Sequence, residues 1–309
     1  MRVRVTVPAT SANLGPGFDC LAVALDLRNE VEATLSDRPQ VDVAGEGQEV
    51  LPRDEGNAVY RAAQRVAEQA GARVAFAFRC TNRIPLDRGL GSSAAARVAG
   101  AAAANRLLGS PLPQEELVRL TVDLEGHPDN AVAAWLGGLV VAVQDGDGRV
   151  CWQRVTPGRF PSVVLCVPEL RVPTEEARAR LPAQVSLHDA VFNTGRAALL
   201  VAALCNGDFH ALGVATQDRL HQPYREDLIP GFRDAVHAAR QAGAWGAALS
   251  GAGSTVLAFC PPERAPEVGE AMKRALWRHG VHSRWMASSV DERGVLLEDV
   301  AGGGGTWDG

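Results

Sequence analysis

The chain has 309 residues, 46% of them hydrophobic and 22% charged, an ordinary globular composition with room for one large domain or two medium ones. Its formal net charge is −5, so the chain has no excess of lysine and arginine to neutralise a nucleic-acid backbone. This excludes a general nucleic-acid binder. Lys273 is the only lysine, so a phosphate loop of the Gly-x-x-x-x-Gly-Lys type or Schiff-base chemistry would depend on a residue with ordinary helix-surface neighbours.

The cysteines and the start of the chain bear on its cellular compartment. The six cysteines include no Cys-x-x-Cys pair, and most stand in apolar runs, which predicts buried free thiols in a reducing compartment. The histidines show no metal-ligand spacing. The first residues alternate as in a strand, and no apolar run approaches the ~20 residues that a membrane helix needs. We therefore expect a cytoplasmic protein without a membrane partner.

The first half of the chain predicts strands followed by helices. Val3, Val5 and Val7 alternate with polar residues, which predicts a strand with one buried face. Apolar residues at helical spacing from 59 to 70 predict a helix that ends at Gly71. Further strands are predicted at 20–25, 31–35, 74–78 and 137–143, and further helices at 92–108 and after Pro113.

The second half predicts another mixture of strands and helices. An Asp-Gly-Asp-Gly run at 145–148 predicts a turn, and we place a domain boundary near it. The predicted units are an N-terminal domain at 1–155, a C-terminal domain at 156–300 and a disordered glycine-rich tail at 301–309. The C-terminal domain contains predicted strands at 162–167 and near 247, 256, 281 and 295, and predicted helices at 186–205, 231–242 and 263–279. This mixture, with little strict βαβ alternation, indicates the α+β class.

The most informative stretch is Pro-Leu-Asp-Arg-Gly-Leu-Gly-Ser-Ser-Ala-Ala-Ala at 85–96. Its two glycines let the backbone turn tightly and approach a ligand closely. The two serines open an alanine-rich helix, whose free N–H groups and positive dipole end form an anion site. On the glycines alone, an ordinary turn capped by serine is the better explanation. The full string is far more specific, and it predicts a phosphate site that needs no lysine.

This string resembles the Pro-x-x-x-Gly-Leu-Gly-Ser-Ser-Ala-Ala motif of the GHMP kinases, a family named for galacto-, homoserine, mevalonate and phosphomevalonate kinases. Residues 8–19 resemble the family's first motif, in the form found in its homoserine-phosphorylating members, and residues 246–255 resemble its glycine-rich third motif. Ala96 and Ser254 depart from the pattern, where serine and proline are common. The resemblance implies a two-domain α+β fold with mixed and antiparallel sheets packed with helices, ATP and Mg²⁺ as cofactors, and phosphorylation of a small-molecule hydroxyl.

The resemblance also assigns residues to the nucleotide. Asn57 falls in the adenine-binding segment and Arg83 lies just before the phosphate loop, although each could instead be a helix cap or a surface charge. The predicted nucleotide-binding residues are Asn57, Arg83, Pro85, Gly89, Leu90, Gly91, Ser92, Ser93, Ala94 and Ala95.

The stretch Glu-Gly-His-Pro-Asp-Asn at 125–130 packs polar and turn residues between two apolar helices. A glutamate near a triphosphate suits Mg²⁺, which takes oxygen ligands, whereas in isolation Glu125 would be a solvated charge at a helix end. The resemblance implies Glu125 and Ser93 as metal ligands, and His127 and Asn130 in the substrate site. Asp129 aligns with the acid of an Asp–Lys pair that some members use as a base, but no lysine is available here, so the identity of any base stays open.

Residues in four segments predict the substrate. Asn13 and Asp19 flank a Gly-Pro-Gly turn and can face one pocket, with simple turn chemistry as the alternative. Arg residues bind a carboxylate with bidentate geometry and an aspartate pairs with an ammonium, so homoserine is favoured over mevalonate, which has no ammonium. Two segments, 173–182 and 218–230, resemble substrate segments of the family, and this resemblance implies Thr174, Arg178 and Arg225. The predicted substrate-binding residues are Asn13, Asp19, His127, Asn130, Thr174, Arg178, Arg225 and Gly251, and the predicted catalytic residues are Asn13, Glu125 and Asp129.

Two other functions remain open at this point. One is another GHMP kinase, acting on a mevalonate-type alcohol, and the other is a catalytically inactive sensor that binds nucleotide or sugar. The paired serines and Glu125, whose loss would have indicated a sensor, are all present. The resemblance further implies a homodimer.

Overall fold

The computed structural model describes residues 1–300, and the predicted disordered tail at 301–309 lies outside the described residues. The strands of residues 1–300 are β1 (Arg2–Asn13), β2 (Gly17–Ser36), β3 (Gln40–Gly45), β4 (Ala75–Asn82), β5 (Leu139–Gln144), β6 (Val150–Val155), β7 (Ser162–Pro168), β8 (Gly246–Leu249), β9 (Val256–Cys260), β10 (Ser283–Ser288) and β11 (Leu296–Val300). The helices are α1 (Ala58–Gln69), α2 (Ser92–Leu107), α3 (Gln114–Glu125), α4 (Pro128–Leu136), α5 (Thr174–Ala179), α6 (Leu187–Asn206), α7 (Leu212–Ala215), α8 (Gln222–Arg225), α9 (Phe232–Gln241) and α10 (Ala265–Arg278).

Strands from both ends of the chain form the first sheet. Its order is β11-β1-β2-β4-β3, with β5 beside β2 and β6 beside β5. All pairs are antiparallel except β3 with β4, so the sheet is mixed. The strand β2 was predicted as two pieces, but it is continuous over 20 residues because its first part pairs with β5 and its second with β4. The predicted mixed sheet is therefore confirmed.

Helices α1, α2 and α4 cover one face of the first sheet, and α3 packs on these three helices. The small residues of α2 let it approach its neighbours closely: a Cβ atom on Gly100 would lie 2.0 Å from the carbonyl oxygen of Val59 in α1. Almost all of α2 beyond its first turn is buried, as its alanine-rich sequence predicts. This packing fixes the N-terminus of α2, where the loop after Pro85 ends, beside Thr10 of β1.

The second sheet is antiparallel, with the order β10-β7-β9-β8. The helices α9 and α10 pack on it around apolar residues such as Val164, Val256 and Met272, which are fully buried. The predicted helices at 186–205, 231–242 and 263–279 are confirmed as α6, α9 and α10, with ends shifted by one or two residues. Together, the two sheets and their helices confirm the α+β class.

One strand lies in a different sheet from the one its sequence position suggests. β11 was predicted as part of the C-terminal domain, but it pairs with β1 of the first sheet, with Arg2 opposite Val300. An isolated antiparallel β-bridge between Leu25 and Val290 already joins the chain to the first sheet before β11 begins. The boundary near residue 155 stays a prediction. The first sheet contains a strand from beyond that boundary, which was not predicted because the local sequence pattern does not show a strand's distant partner.

The cysteines depart in part from the prediction of buried thiols. All six are free, but Cys151 and Cys205 are exposed and Cys20 is half-buried. The prediction is wrong for the two exposed residues because Cys205 lies on the outer face of α6 and Cys151 points outward from β6. Among the helices of residues 1–300, none is long and apolar enough to cross a membrane.

Candidate functional site

One cavity of about 470 Å³ brings together residues from both halves of the chain. The predicted site residues that line it are Asn13, Asp19, Asn57, Pro85, Gly89, Leu90, Gly91, Ser92, Ser93, Glu125, His127, Asp129, Asn130, Thr174, Arg178, Arg225 and Gly251. Ala94 and Ala95 are buried under this surface in the first turn of α2, and Arg83 lines an adjoining groove. The predicted nucleotide and substrate residues therefore surround one space, with Arg83 beside it.

Two glycines give the phosphate loop its shape. Gly89 and Gly91 have φ values of +71° and +66°, which L residues with a Cβ rarely adopt. A Cβ on Gly89 would lie 1.9 Å from the carbonyl oxygen of Ser250, and a Cβ on Gly91 would lie 1.9 Å from Thr10 Oγ1. The loop thus packs directly against the first and third motifs, and a side chain at either position would force the loop or its neighbour to shift.

The N-terminus of α2 is open for an anion. Gly91 is its N-cap residue and supplies no side-chain hydrogen bond to the first turn. The N–H groups of Ser92, Ser93 and Ala94 have no partner within the helix, since the first turn of any helix lacks one. These donors and the helix dipole together favour a phosphate at this edge of the cavity.

Asn57 acts as a helix cap in this structure. Its Oδ1 accepts from the N–H of Val59 at 3.0 Å, and its Nδ2 donates to the carbonyl of Pro52 at 2.7 Å. This is the simpler of the two roles that the sequence left open. Its position on the cavity wall is also compatible with adenine, and that contact stays a prediction.

Hydrogen bonds tie the first motif to the stretch at 125–130 and to the third motif. Thr10 Oγ1 donates to Asn130 Oδ1 at 2.6 Å, and Asn13 Nδ2 donates to the carbonyl of Gly251 at 2.9 Å. The N–H of Asp19 donates to Asn13 Oδ1 at 3.1 Å. Asn13 and Asp19 both have positive φ, so the turn between them directs both side chains into the same cavity.

The stretch at 125–130 joins α3 to α4 and holds Asp129 out of solvent. The Asp129 carboxylate accepts from His127 Nδ1 at 2.7 Å and from the N–H of Asn130 at 2.6 Å. Burial opposes the charged imidazole, yet the hydrogen bond to Asp129 and its negative charge, with Glu125 nearby, raise the pKa of His127. Asp129 therefore orients its two neighbours, with its side chain only 2% exposed.

Arginine stands between the two predicted metal ligands. Arg97 Nη1 donates to both Ser93 Oγ and Glu125 Oε2. The hydroxyl and the carboxylate are oxygen donors of the kind that Mg²⁺ prefers, so the residues fit that ion. The contact shows that a single cation can bridge them. Sequence reasoning missed Arg97, although its position four residues after Ser93 puts both on one face of α2.

A second cluster of possible metal ligands is already paired. Atoms of Asp19, His127 and Asp129 lie within 4.8 Å of one another. His127 donates to Asp129, and both oxygens of Asp19 accept from Arg178, at 2.6 and 2.9 Å. These partners account for the cluster without an ion.

The substrate side of the cavity carries two guanidinium groups held against one ring. The guanidinium carbons of Arg178 and Arg225 lie 5.4 and 5.3 Å from the ring centre of Phe18. The hydrogen bond to Asp19 raises the pKa of Arg178. Burial, and then the charge of Arg178, lower the pKa of Arg225 to about 10, which still leaves it charged at neutral pH. Phe18 was not among the predicted site residues, although it stands next to Asp19 in the first motif.

The chain is similar to known proteins over nearly its whole length. The model for the N-terminal domain of the GHMP kinases matches residues 57–138, and the model for their C-terminal part matches residues 200–279. The homoserine kinase of Moorella thermoacetica is 47% identical over 278 residues, which cover 90% of this chain and 93% of that protein.

Two further relatives agree. The homoserine kinase of Carboxydothermus hydrogenoformans is 43% identical over 296 residues, covering 95% of this chain and 96% of that protein. The crystal structure of homoserine kinase from Cytophaga hutchinsonii superposes with a TM-score of 0.87 at 33% identity, covering 96% of this chain and 97% of that one. The arrangement of sheets and helices described above is therefore also found in a solved structure.

Proposed function

This chain belongs to the GHMP kinase family, and from its similarity to the homoserine kinases of that family we propose that it transfers the γ-phosphoryl group of ATP to the hydroxyl of L-homoserine. The product is O-phospho-L-homoserine, and the reaction is a step of threonine biosynthesis. The enzyme is thus a phosphotransferase with an alcohol as acceptor.

The observation that carries the proposal is the ion pair between Asp19 and Arg178. Both partners are about one-third exposed and line the cavity, so a ligand can reach them. A zwitterionic amino acid can replace the pair by offering its ammonium to Asp19 and its carboxylate to Arg178 and Arg225. A mevalonate-type acid brings no ammonium and would leave Asp19 without a cation. The pair therefore favours homoserine over the other family substrates.

The phosphate loop supports ATP as the donor. The first-turn N–H groups of α2 would hold the phosphates, while Asn13 and the pocket at 125–130 would hold the acceptor hydroxyl in line with them. Phosphoryl transfer depends mainly on such positioning and on neutralising charge. Ser93 and Glu125 would hold Mg²⁺, which supplies neutralisation of the phosphate charge. Asp129 would orient His127 and Asn130, and no side chain is assigned as a base.

A substrate panel tests the proposal directly. Purified protein with ATP and Mg²⁺ is given homoserine, mevalonate, or a homoserine analogue that lacks the ammonium, and ADP release is recorded. We expect turnover with homoserine and little with the other two. Faster turnover of mevalonate would support the alternative kinase, and ATP binding without turnover of any alcohol would support the inactive sensor.

We also propose that the protein works as a cytoplasmic homodimer. The outer face of α6 supports the dimer, because apolar side chains recur there at helical spacing and remain exposed. Val191 and Leu199 belong to this face, with exposed fractions of 65% and 38%. Two copies of α6 packed across a twofold axis would cover it.

A further inference from the structure

His221 is a fully buried histidine directly behind the substrate side of the cavity, with 0% of its side chain exposed. Its Nε2 lies 2.7 Å from the carbonyl oxygen of Gly15, and its Nδ1 lies 3.2 Å from Arg225 Nη1. A carbonyl oxygen only accepts and a guanidinium only donates. The proton therefore sits on Nε2, Nδ1 accepts from Arg225, and the imidazole is neutral.

The nearest carboxylate does not compete for this proton. Asp218 lies 3.6 Å from Nε2, but its two oxygens are already used by four donors. They are Asn193 Nδ2 at 2.7 Å and the N–H groups of Leu220 at 2.9 Å, His221 at 3.0 Å and Gln222 at 2.7 Å. Asp218 thus fixes the turn before α8, on which Arg225 lies. Burial lowers the pKa of His221, the Asp218 charge raises it and the Arg225 charge lowers it, with a net lowering that agrees with a neutral ring.

Three hydrogen bonds fix the plane of the Arg225 guanidinium. Besides its bond to His221, Nη1 donates to the carbonyl of Gly251 at 3.1 Å, and Nε donates to the carbonyl of Ala177 at 3.3 Å. Within the described chain, Nη2 has no hydrogen-bond partner. Because Arg225 lines the cavity, Nη2 is the donor left for a ligand.

The other side of His221 holds the loop between β1 and β2. Gly15 has a φ of +93°, and a Cβ there would lie 2.2 Å from the carbonyl oxygen of Thr216. The loop thus presses against the segment before α8, and its carbonyl has a fixed position. His221 connects this carbonyl to Arg225 in one step.

We infer that His221 is a positioning residue for substrate recognition: it couples the loop carrying Asn13 and Asp19 to Arg225, so that Nη2 of Arg225 points at the substrate carboxylate. This inference rests on the proposed function, because Arg225 as the carboxylate partner is part of it. His221 touches neither the nucleotide loop nor the reacting hydroxyl, so its effect should fall on amino-acid binding.

Two variants and a control separate positioning from simple folding support. His221→Leu removes both hydrogen bonds, His221→Gln keeps one donor and one acceptor, and His237→Gln changes an exposed histidine on α9. We expect His221→Leu to raise KM for homoserine by about ten- to a hundredfold, the range for losing a hydrogen bond to a charged group. Its kcat and its KM for ATP should change less than about threefold. His221→Gln should recover part of the loss, and the control should match the wild type.

A readout independent of turnover uses nitrogen NMR on the unliganded protein. The His221 ring should show the neutral Nε2–H form at neutral pH, and rotation of the Arg225 guanidinium should be slower in the wild type than in His221→Leu, or than in His221→Phe, which also lacks both hydrogen bonds, if the leucine variant does not fold. Equal rotation in the wild type and in the variant without these hydrogen bonds, or equal losses in kcat and in both KM values, would overturn the inference. If homoserine is not turned over by the wild type but the NMR result holds, the proposed function fails while the positioning of Arg225 by His221 remains.

Discussion

At the scale of single residues, Glu125 and Asp129 lie only four positions apart in the sequence but make different contacts. Glu125 faces Ser93 across the cavity edge, whereas Asp129 is buried and accepts hydrogen bonds from His127 and Asn130. We expect Glu125→Ala to lower kcat by about a hundredfold or more, as when a group that stabilises transferring charge is removed. Asp129→Asn should cost about tenfold, since it weakens one charge-assisted hydrogen bond. Steady-state rates with saturating ATP and homoserine measure both, and the opposite order would assign Asp129 the role of base.

The dependence of the rate on Mg²⁺ tests a second residue, Arg97. Its guanidinium contacts the same oxygens that Mg²⁺ would use, and its side chain is 23% exposed. Arg97→Met removes the competing charge and keeps the length. We expect the Mg²⁺ concentration at half-maximal rate to fall about two- to fivefold, in line with the loss of a partly exposed ion pair. Arg65→Met, at an exposed pair on α1, is the control. An unchanged or higher Mg²⁺ requirement would show that Arg97 does not compete with the ion.

At the scale of elements, the phosphate loop depends on backbone space more than on side chains. Gly89→Ala places a Cβ against the backbone at Ser250, and the loop must shift. Gly71→Ala is a matched control, because Gly71 also has positive φ but has no atom within 4 Å of its Cβ position. We expect Gly71→Ala to lose ~1–2 kcal/mol of stability and to keep the rise in Tm on adding an ATP analogue. Gly89→Ala should lose that rise. Thermal unfolding with and without the analogue measures this, and a full rise in Gly89→Ala would contradict it.

The elements that sequence reasoning found are those whose signals are local. The spacing of apolar residues predicted α1, and the glycines and serines of the phosphate loop located the start of α2. β2 was divided because its polar middle interrupts the apolar pattern, yet there Arg28 pairs with Asp291 and Asn29 accepts from the N–H groups before the phosphate loop. The division of β2 was predicted wrongly because the partners of these polar residues come from distant segments of the chain.

The site shows the same division. Most of the residues that the motifs named line one cavity, because each motif is a short string with its own backbone geometry. Arg97 and His221 were missed because their partners, Glu125 and Gly15, come from other segments. His221 lies in the turn before α8, and the sequence around it does not indicate that its ring is hydrogen-bonded to an arginine on one side and to a carbonyl on the other.

At the scale of the whole molecule, the exposed apolar face of α6 predicts the state of assembly. The mass of one chain is 32.6 kDa, and light scattering should give twice that value. Val191→Glu puts a charge in the middle of the α6 face and should shift the protein to the monomer mass. Val143→Glu changes an equally apolar residue on β5 that is 49% exposed and serves as control. A dimer that persists in Val191→Glu would place the interface elsewhere.

The return of β11 to the first sheet has a consequence for synthesis on the ribosome. β1 emerges early, but the strand that covers its outer edge is among the last described residues to be translated. Until then the nascent chain presents a row of unpaired backbone groups, the kind of edge that recruits other strands. The growing polypeptide should therefore need chaperone protection of the β1 edge until β11 has been made and can pair with it.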